Sequence, residues 1–163
     1  RHTRYISVTG VQTCALPILK KIDYGRWDIR ETAVRILMAI RDYRPLAVGI
    51  EKGALKNAVL PYLSDLMRKN NVYSHIVDLT HGNRKKTDRI VWGLQGRFEH
   101  GRIILNSEED WDEFLDQLLM FPAKGVHDDL PDSLSYIDQL AVTSYFEGEE
   151  DEDWTPIDVI SGV

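Results

Sequence analysis

The sequence predicts an α/β fold, and three observations carry the prediction. Strand-like and helix-like apolar patterns alternate along the chain, the signature of strands in a sheet flanked by helices. Residues 46–50 (LAVGI) form a short continuous apolar run, the pattern of a strand buried on both faces. The stretches between strand candidates place apolar residues three and four apart, as a helix covering a sheet requires.

Residues 20–29 (KKIDYGRWDI) alternate and include Tyr24 and Trp27, which reads as a strand and turn at a sheet edge. Residues 31–43 carry Val34, Ile36, Leu37, Met38 and Ile40 at helical spacing, and Pro45 ends that helix. The central strand 46–50 follows, runs into Glu51 and breaks at Gly53. Residues 54–69 are amphipathic on Leu55, Val59, Leu63, Leu66 and Met67, and residues 72–79 form the next strand.

A polar segment over residues 80–88 leads into a helix that reaches His100. Thr87 or Asp88 caps it, Ile90, Leu94 and Phe98 line one face, and Gly101 stands where a left-handed terminator belongs. Trp92, at helical spacing in the same stretch, reads as core, and His75 reads as structural. Residues 102–105 form a short strand. Ser107 caps a helix over residues 108–120, whose early acids suit a helix N-terminus. An acidic helix then runs from His127 to about residue 146, with Leu130, Leu134, Ile137 and Leu140 as its apolar stripe.

The first 18 residues stand apart. Residues 8–18 (VTGVQTCALPI) back-translate without a gap into a sequence that resembles a common sequencing-library adaptor, and residues 1–4 fit the adaptor upstream of it. We therefore expect residues 1–18 to be a translated scar. A signal peptide is the rival reading, but the segment lacks a clean apolar core. On this reading the chain is a fragment: residues 19–146 form one domain that lacks its first strand or strands, and residues 147–163 are an acidic tail.

Cys14 is the sole cysteine and lies in the adaptor-like segment, which excludes a disulfide framework and a zinc–thiolate site from the rest. No apolar run approaches the length of a membrane span. The net charge is −6, which excludes a simple basic nucleic-acid binder. Acids crowd from Glu147 to Asp153, while Arg84, Lys85, Lys86 and Arg89 form a local basic stripe able to contact phosphates.

The chemistry concentrates at two places. Glu51 ends an apolar strand, where open α/β sheets place their sites. Asp128, Asp129 and Asp132 cluster with His127 at the start of an apolar helix, and Asp129 and Asp132 share a face. An ordinary N-cap accounts for one acid, not three, since like charges repel unless a cation offsets them. Carboxylate oxygens of this kind suit hard divalent cations. His127 could ligate a metal or orient a phosphate. His81, near Asn83, could contact nucleic acid but has no partner at a recognisable spacing.

The order Glu51, Lys85-Lys86-x-x-Arg89, FEHGRIIL over residues 98–105, and His127-Asp128-Asp129-x-x-Asp132-Ser133-Leu134 resembles the C-terminal nuclease domain of a tailed-bacteriophage terminase large subunit. The resemblance covers residues 20–146, and its last motif is the most specific part. It implies an RNase H-like fold, with a central mixed sheet flanked by helices. It also implies a DNA endonuclease that cuts concatemeric viral DNA during packaging, in the cytoplasm of the infected host. Two Mg²⁺ or Mn²⁺ ions roughly 3.5–4 Å apart would serve the reaction. Glu51 and Asp129 would be the second and third family acids, with Asp128 or Asp132 assisting. Lys86 and Arg89 would face the DNA backbone. Implied partners are double-stranded DNA and, in a full-length parent, an ATPase domain, a small terminase subunit and a portal. A RuvC-type resolvase, which shares the fold, and a non-catalytic DNA- or portal-binding module are the alternatives. The family's first acid lies on the sheet's first strand, where the adaptor-like segment stands here, and no Walker motif is present.

Overall fold

The computed structural model describes residues 18–82, 84–123, 125 and 127–140, together with the backbone of residues 3–8. Within these residues the chain is mixed α/β, with strands in two small sheets and a hydrophobic core beside each.

The first core is built by two helices on a parallel strand pair. Helix α1 (Ile29–Tyr43) starts at Asp28, whose carboxylate accepts the Glu31 backbone N–H at 2.7 Å. Its inner stripe is Ala33, Ile36 and Ile40, and Arg44 ends it in the left-handed conformation at φ 45°. Strand β3 (Ala47–Glu51) buries Val48 and Ile50 and leaves Glu51 exposed. Helix α2 (Ala54–Asn70) continues through Pro61, an interior proline that costs about 3 kcal/mol. Burial of Val59, Leu63 and Met67 offsets it, at about 1.5–3 kcal/mol for each large apolar side chain. Strand β4 (His75–Leu79) pairs parallel to β3, from Ala47 opposite His75 to Glu51 opposite Leu79. The C-terminal ends of β3 and β4 therefore open at one edge.

The second core collects Leu19, Ile90, Leu94, Trp111, Phe114, Leu130 and Leu134. Strand β2 (Ile18–Gly25) lies between β1 (Thr3–Val8), antiparallel, and the two-residue β5 (Ile104–Leu105), parallel. Helices α3 (Lys86–Glu99), α4 (Asp112–Met120) and α5 (Asp129–Leu134) complete this half. Gly93 lets α3 and α5 meet: a Cβ there would stand 3.0 Å from the Ser135 carbonyl oxygen.

Several expectations are corrected. The described strands make two sheets rather than one central sheet, so β3 is not central. The parallel ladder of β2 stops after two pairs because Asn106 turns the chain, its backbone N–H donating to Leu19 O at 3.1 Å and its side chain to Lys20 O. Strand β4 begins at His75, since Asn71 is left-handed at φ 50° and the Ser74 hydroxyl donates to Pro45 O. Helix α4 starts at Asp112 rather than after Ser107. Residues 106–111 form a turn held by the Trp111 indole N–H on Asn106 O at 2.6 Å. Helix α3 starts at Lys86, ahead of Thr87 and Asp88, and Lys85 makes no side-chain cap bond. Trp92 is 79 % exposed, because Ile90, Gly93 and Leu94 form the inner face of α3 and Trp92 lies on the opposite one. The acidic helix is interrupted at residues 135–136, where the Ser135 hydroxyl takes Asp132 O at 2.6 Å. Residues 147–163, read as an acidic tail, lie outside the described residues. No helix among the described residues is long and apolar enough to cross a membrane.

Candidate functional site

The joint between the two cores is polar. At the end of β4, the Thr80 backbone N–H donates to Gln139 Oε1 at 3.1 Å, and Gln139 Nε2 donates back to Thr80 O at 2.9 Å. The next residue, His81, links both halves. Its Nε2 lies 2.7 Å from Glu51 Oε1 at the end of β3. Its Nδ1 lies 2.9 Å from an Arg89 guanidinium nitrogen on α3 and 2.7 Å from the Tyr136 hydroxyl.

A guanidinium can only donate, so Nδ1 is the acceptor and the ring proton sits on Nε2, where it donates to Glu51. Arg89 is buried, 8 % exposed, and also donates to Asp132 on α5. Its guanidinium stacks 4.9 Å from the Tyr136 ring centroid. Its Nε is the one buried side-chain nitrogen or oxygen among the described residues without a hydrogen-bond partner. A continuous chain, Glu51–His81–Arg89–Asp132, thus joins the strand-end acid to the acidic helix start.

The three clustered aspartates converge on Lys86. Its Nζ lies 2.6 Å from Asp128, 3.5 Å from Asp132 and 3.6 Å from Asp129. Asp128 occupies the N-cap position of α5 but makes no side-chain cap bond, because its carboxylate is engaged by Lys86. Gln117 of α4 supplies part of what a cap would: its buried Oε1 accepts the Leu130 backbone N–H at 3.0 Å. His127 is largely exposed, with Nδ1 3.9 Å from Asp129.

Four residues were expected at a DNA backbone, and they divide. Arg84 and Lys85 are exposed just before α3. Lys86 and Arg89 instead face the acids, because the first turns of α3 lie against α5. Among the described residues, no group of three or more His, Cys, Asp or Glu is already disposed as a metal cage. The oxygen-only donors of the three aspartates are of the kind that suits a hard cation, and here Lys86 and Arg89 supply the positive charge.

Tyr136, Gln139 and Gln117 were not singled out in the sequence, and His81 was considered only as a nucleic-acid contact without a spacing partner. Burial pushes the Tyr136 hydroxyl up to about 12, with the Glu51 and Asp132 charges adding and Arg89 opposing. Two signals were available. Tyr136 lies one helical turn beyond Asp132, and His81 lies two residues past the end of β4, beside Glu51 at the end of β3. Comparison with protein-family models and with curated proteins returns no match.

Proposed function

We propose that this chain is the nuclease domain of a phage-terminase-like, RNase H-like enzyme that hydrolyses DNA phosphodiesters with Mg²⁺ or Mn²⁺ in the cytoplasm of an infected bacterial host. One observation carries the reading: Asp128, Asp129 and Asp132 gather around a single cationic nitrogen, Lys86 Nζ. That cluster is joined through Arg89 and His81 to Glu51, at the open ends of parallel strands. Three carboxylates held together need a cation, and a divalent ion answers the same demand more strongly than an ammonium.

Glu51 and Asp129 would hold the metal, with Asp128 or Asp132 assisting, and Lys86 would give up its place among the acids. When bound, such ions activate water and stabilise charge on a scissile phosphate. The exposed Arg84 and Lys85 would contact the backbone of double-stranded DNA without reading bases. The family's first acid has no counterpart on strand β1, whose residues are TRYISV.

Calorimetric titration with Mn²⁺ of the chain, of Glu51→Ala and of Asp129→Ala tests the proposal. Loss of binding in both variants places strand end and helix start at one metal. A second reading, a DNA-binding module without catalysis, is favoured by Lys86 and Arg89 already neutralising the acids. Unchanged Mn²⁺ affinity in Asp129→Ala would select it.

A further inference from the structure

We propose that the chain's own C-terminal segment, residues 154–163 (WTPIDVISGV), docks in the apolar groove between α3 and the end of α4, with Trp154 as its anchor. The proposal stands apart from the metal and DNA chemistry above.

The groove has a volume of about 300 Å³ and lies between Val91, Leu94 and Phe98 of α3 and Leu118, Phe121 and Pro122 at the end of α4. Its floor is the second core: Leu94 is buried, while Phe98, Leu118 and Phe121 are only partly buried against that core. The polar residues on its wall are Gln95 and Glu99, and Gln95 Nε2 donates to Glu99 Oε1 at 2.7 Å, so the groove offers a ligand mainly apolar contact. On the last turn of α4, Leu119 is 80 % and Met120 55 % exposed, so apolar surface continues over the lip. An apolar patch joined to an open groove marks a binding surface.

Reach, charge and apolar content point to the same occupant. The chain sets off toward residue 141 from α3 itself, because Asp138 pairs with Arg97. At about 100° per residue, Gln95 lies roughly 160° around the helix from Arg97, a path of about 15–20 Å over its surface. Residues 141–153 can span up to about 45 Å, so the groove is within reach. That crossing is acidic, with Glu147, Glu149, Glu150, Asp151, Glu152 and Asp153. The end of α3 that it passes exposes His100 and Arg102, and Arg102 pairs with no acid among the described residues. After the acids come Trp154, Ile157, Val159, Ile160 and Val163, with Asp158 the segment's one charged side chain. Trp154 is the anchor because an indole buries the most apolar area of these side chains. A tether of this length sets an effective concentration on the order of millimolar, so a modest contact keeps the segment docked.

A nitroxide on Ser161→Cys, in the full chain with Cys14→Ser, tests the placement by NMR. It should broaden the methyl signals of Leu94 and Leu118 and leave those of Val59 and Leu63 in the first core sharp. Adding Trp154→Ala should restore the two broadened signals. Sharp Leu94 and Leu118 methyls in the labelled chain overturn the proposal. So does broadening that nitroxide-bearing copies cause in unlabelled copies mixed with them, which would put a second copy's segment in the groove.

A binding measurement adds the energetics. A dye-labelled peptide of residues 147–163 is titrated with the chain ended at residue 146 and followed by fluorescence anisotropy. The Trp154→Ala peptide should bind at least about tenfold more weakly, as loss of an aromatic anchor requires. Arg102→Glu in the shortened chain should weaken the parent peptide by about two- to fivefold. Equal binding of the two peptides, or unaltered binding to Arg102→Glu, overturns the assignment. Where the shortened chain does not fold, the nitroxide measurement on the full chain decides alone.

Discussion

Lys86 reaches across 42 positions of sequence to Asp128, with its ammonium nitrogen 2.6 Å from Oδ1, and draws Asp129 and Asp132 to the same point. Lys86 thus offsets part of the mutual repulsion of three acids, with Arg89 pairing Asp132 beside it. The site is partly open, with Lys86 40 % and Asp132 16 % exposed at the side chain, so the pair energies stay modest.

Lys86→Met should remove the cation that Asp128, Asp129 and Asp132 share, leaving Asp132 with Arg89. In the presence of chelator the variant should lose on the order of 1 kcal/mol of stability. Added Mn²⁺ should then raise its melting temperature by more than it raises the parent's, because no ammonium competes for the acids. Equal metal-induced shifts in the two proteins would show that Lys86 and the cation do not share a site.

Arg89 behaves differently because it is buried. Arg89→Ala removes the partner of Asp132, the donor to His81 and the group stacked on Tyr136. The expected loss is about 3–5 kcal/mol by denaturant melts, the range for breaking a buried pair. Arg97→Ala, which breaks an exposed pair with Asp138, should cost under about 1 kcal/mol. Arg89→Lys should not rescue, since an ammonium cannot serve His81 and Asp132 at once in the fork geometry. Similar losses at positions 89 and 97 would contradict the assigned burial.

The parts of this molecule that depend on near neighbours were legible in the sequence. Helical spacing placed Ile36 and Ile40, Val59 and Leu63, and Ile90 and Leu94 on inner faces, and all six are buried. Adjacent letters likewise exposed the Asp128–Asp132 cluster. Helix ends were less legible. Gln117 reaches from α4 to the Leu130 N–H, and Ser135 turns its hydroxyl back on Asp132 O, neither of which a local pattern shows. The His81 network was illegible for a geometric reason. Its members are 30, 8 and 55 positions from His81, brought together only when two parallel strand ends meet α3 and α5. Periodicity carries no information at such separations.

Gly93 tests how closely α3 and α5 must approach. The neighbour of an added methyl is the backbone carbonyl of Ser135 at 3.0 Å, which cannot rotate away as a side chain would. Gly93→Ala should therefore push the helices apart by a few tenths of an ångström and cost about 1–3 kcal/mol, despite alanine's better helix propensity. Gly96→Ala on the same helix, where a Cβ meets nothing within 4 Å, should be stabilising by up to about 1 kcal/mol. Opposite signs at the two positions in urea melts are the expected result, and the same sign at both would refute the close approach.

Tyr136 gives the joint a pH dependence whose direction follows from its burial. Its hydroxyl is pushed up to about 12, first by desolvation and then by the charges of Glu51 and Asp132, whereas a tyrosine in an unfolded chain ionises near 10. Between those values the folded chain keeps a proton that the unfolded chain has released. The unfolded state then binds fewer protons, so stability falls as pH rises. The contribution is fully present below about 10 and is lost as pH passes through about 12. Lysines also titrate in this range, so the informative quantity is the difference between the parent and Tyr136→Phe. Urea melts at several pH values across the window should show a steeper decline for the parent. Tyrosinate absorbance should show a late ionisation in the parent that the variant lacks. Parallel declines in the two proteins would mean that the hydroxyl is not held in the buried position between His81 and Arg89 that the joint requires.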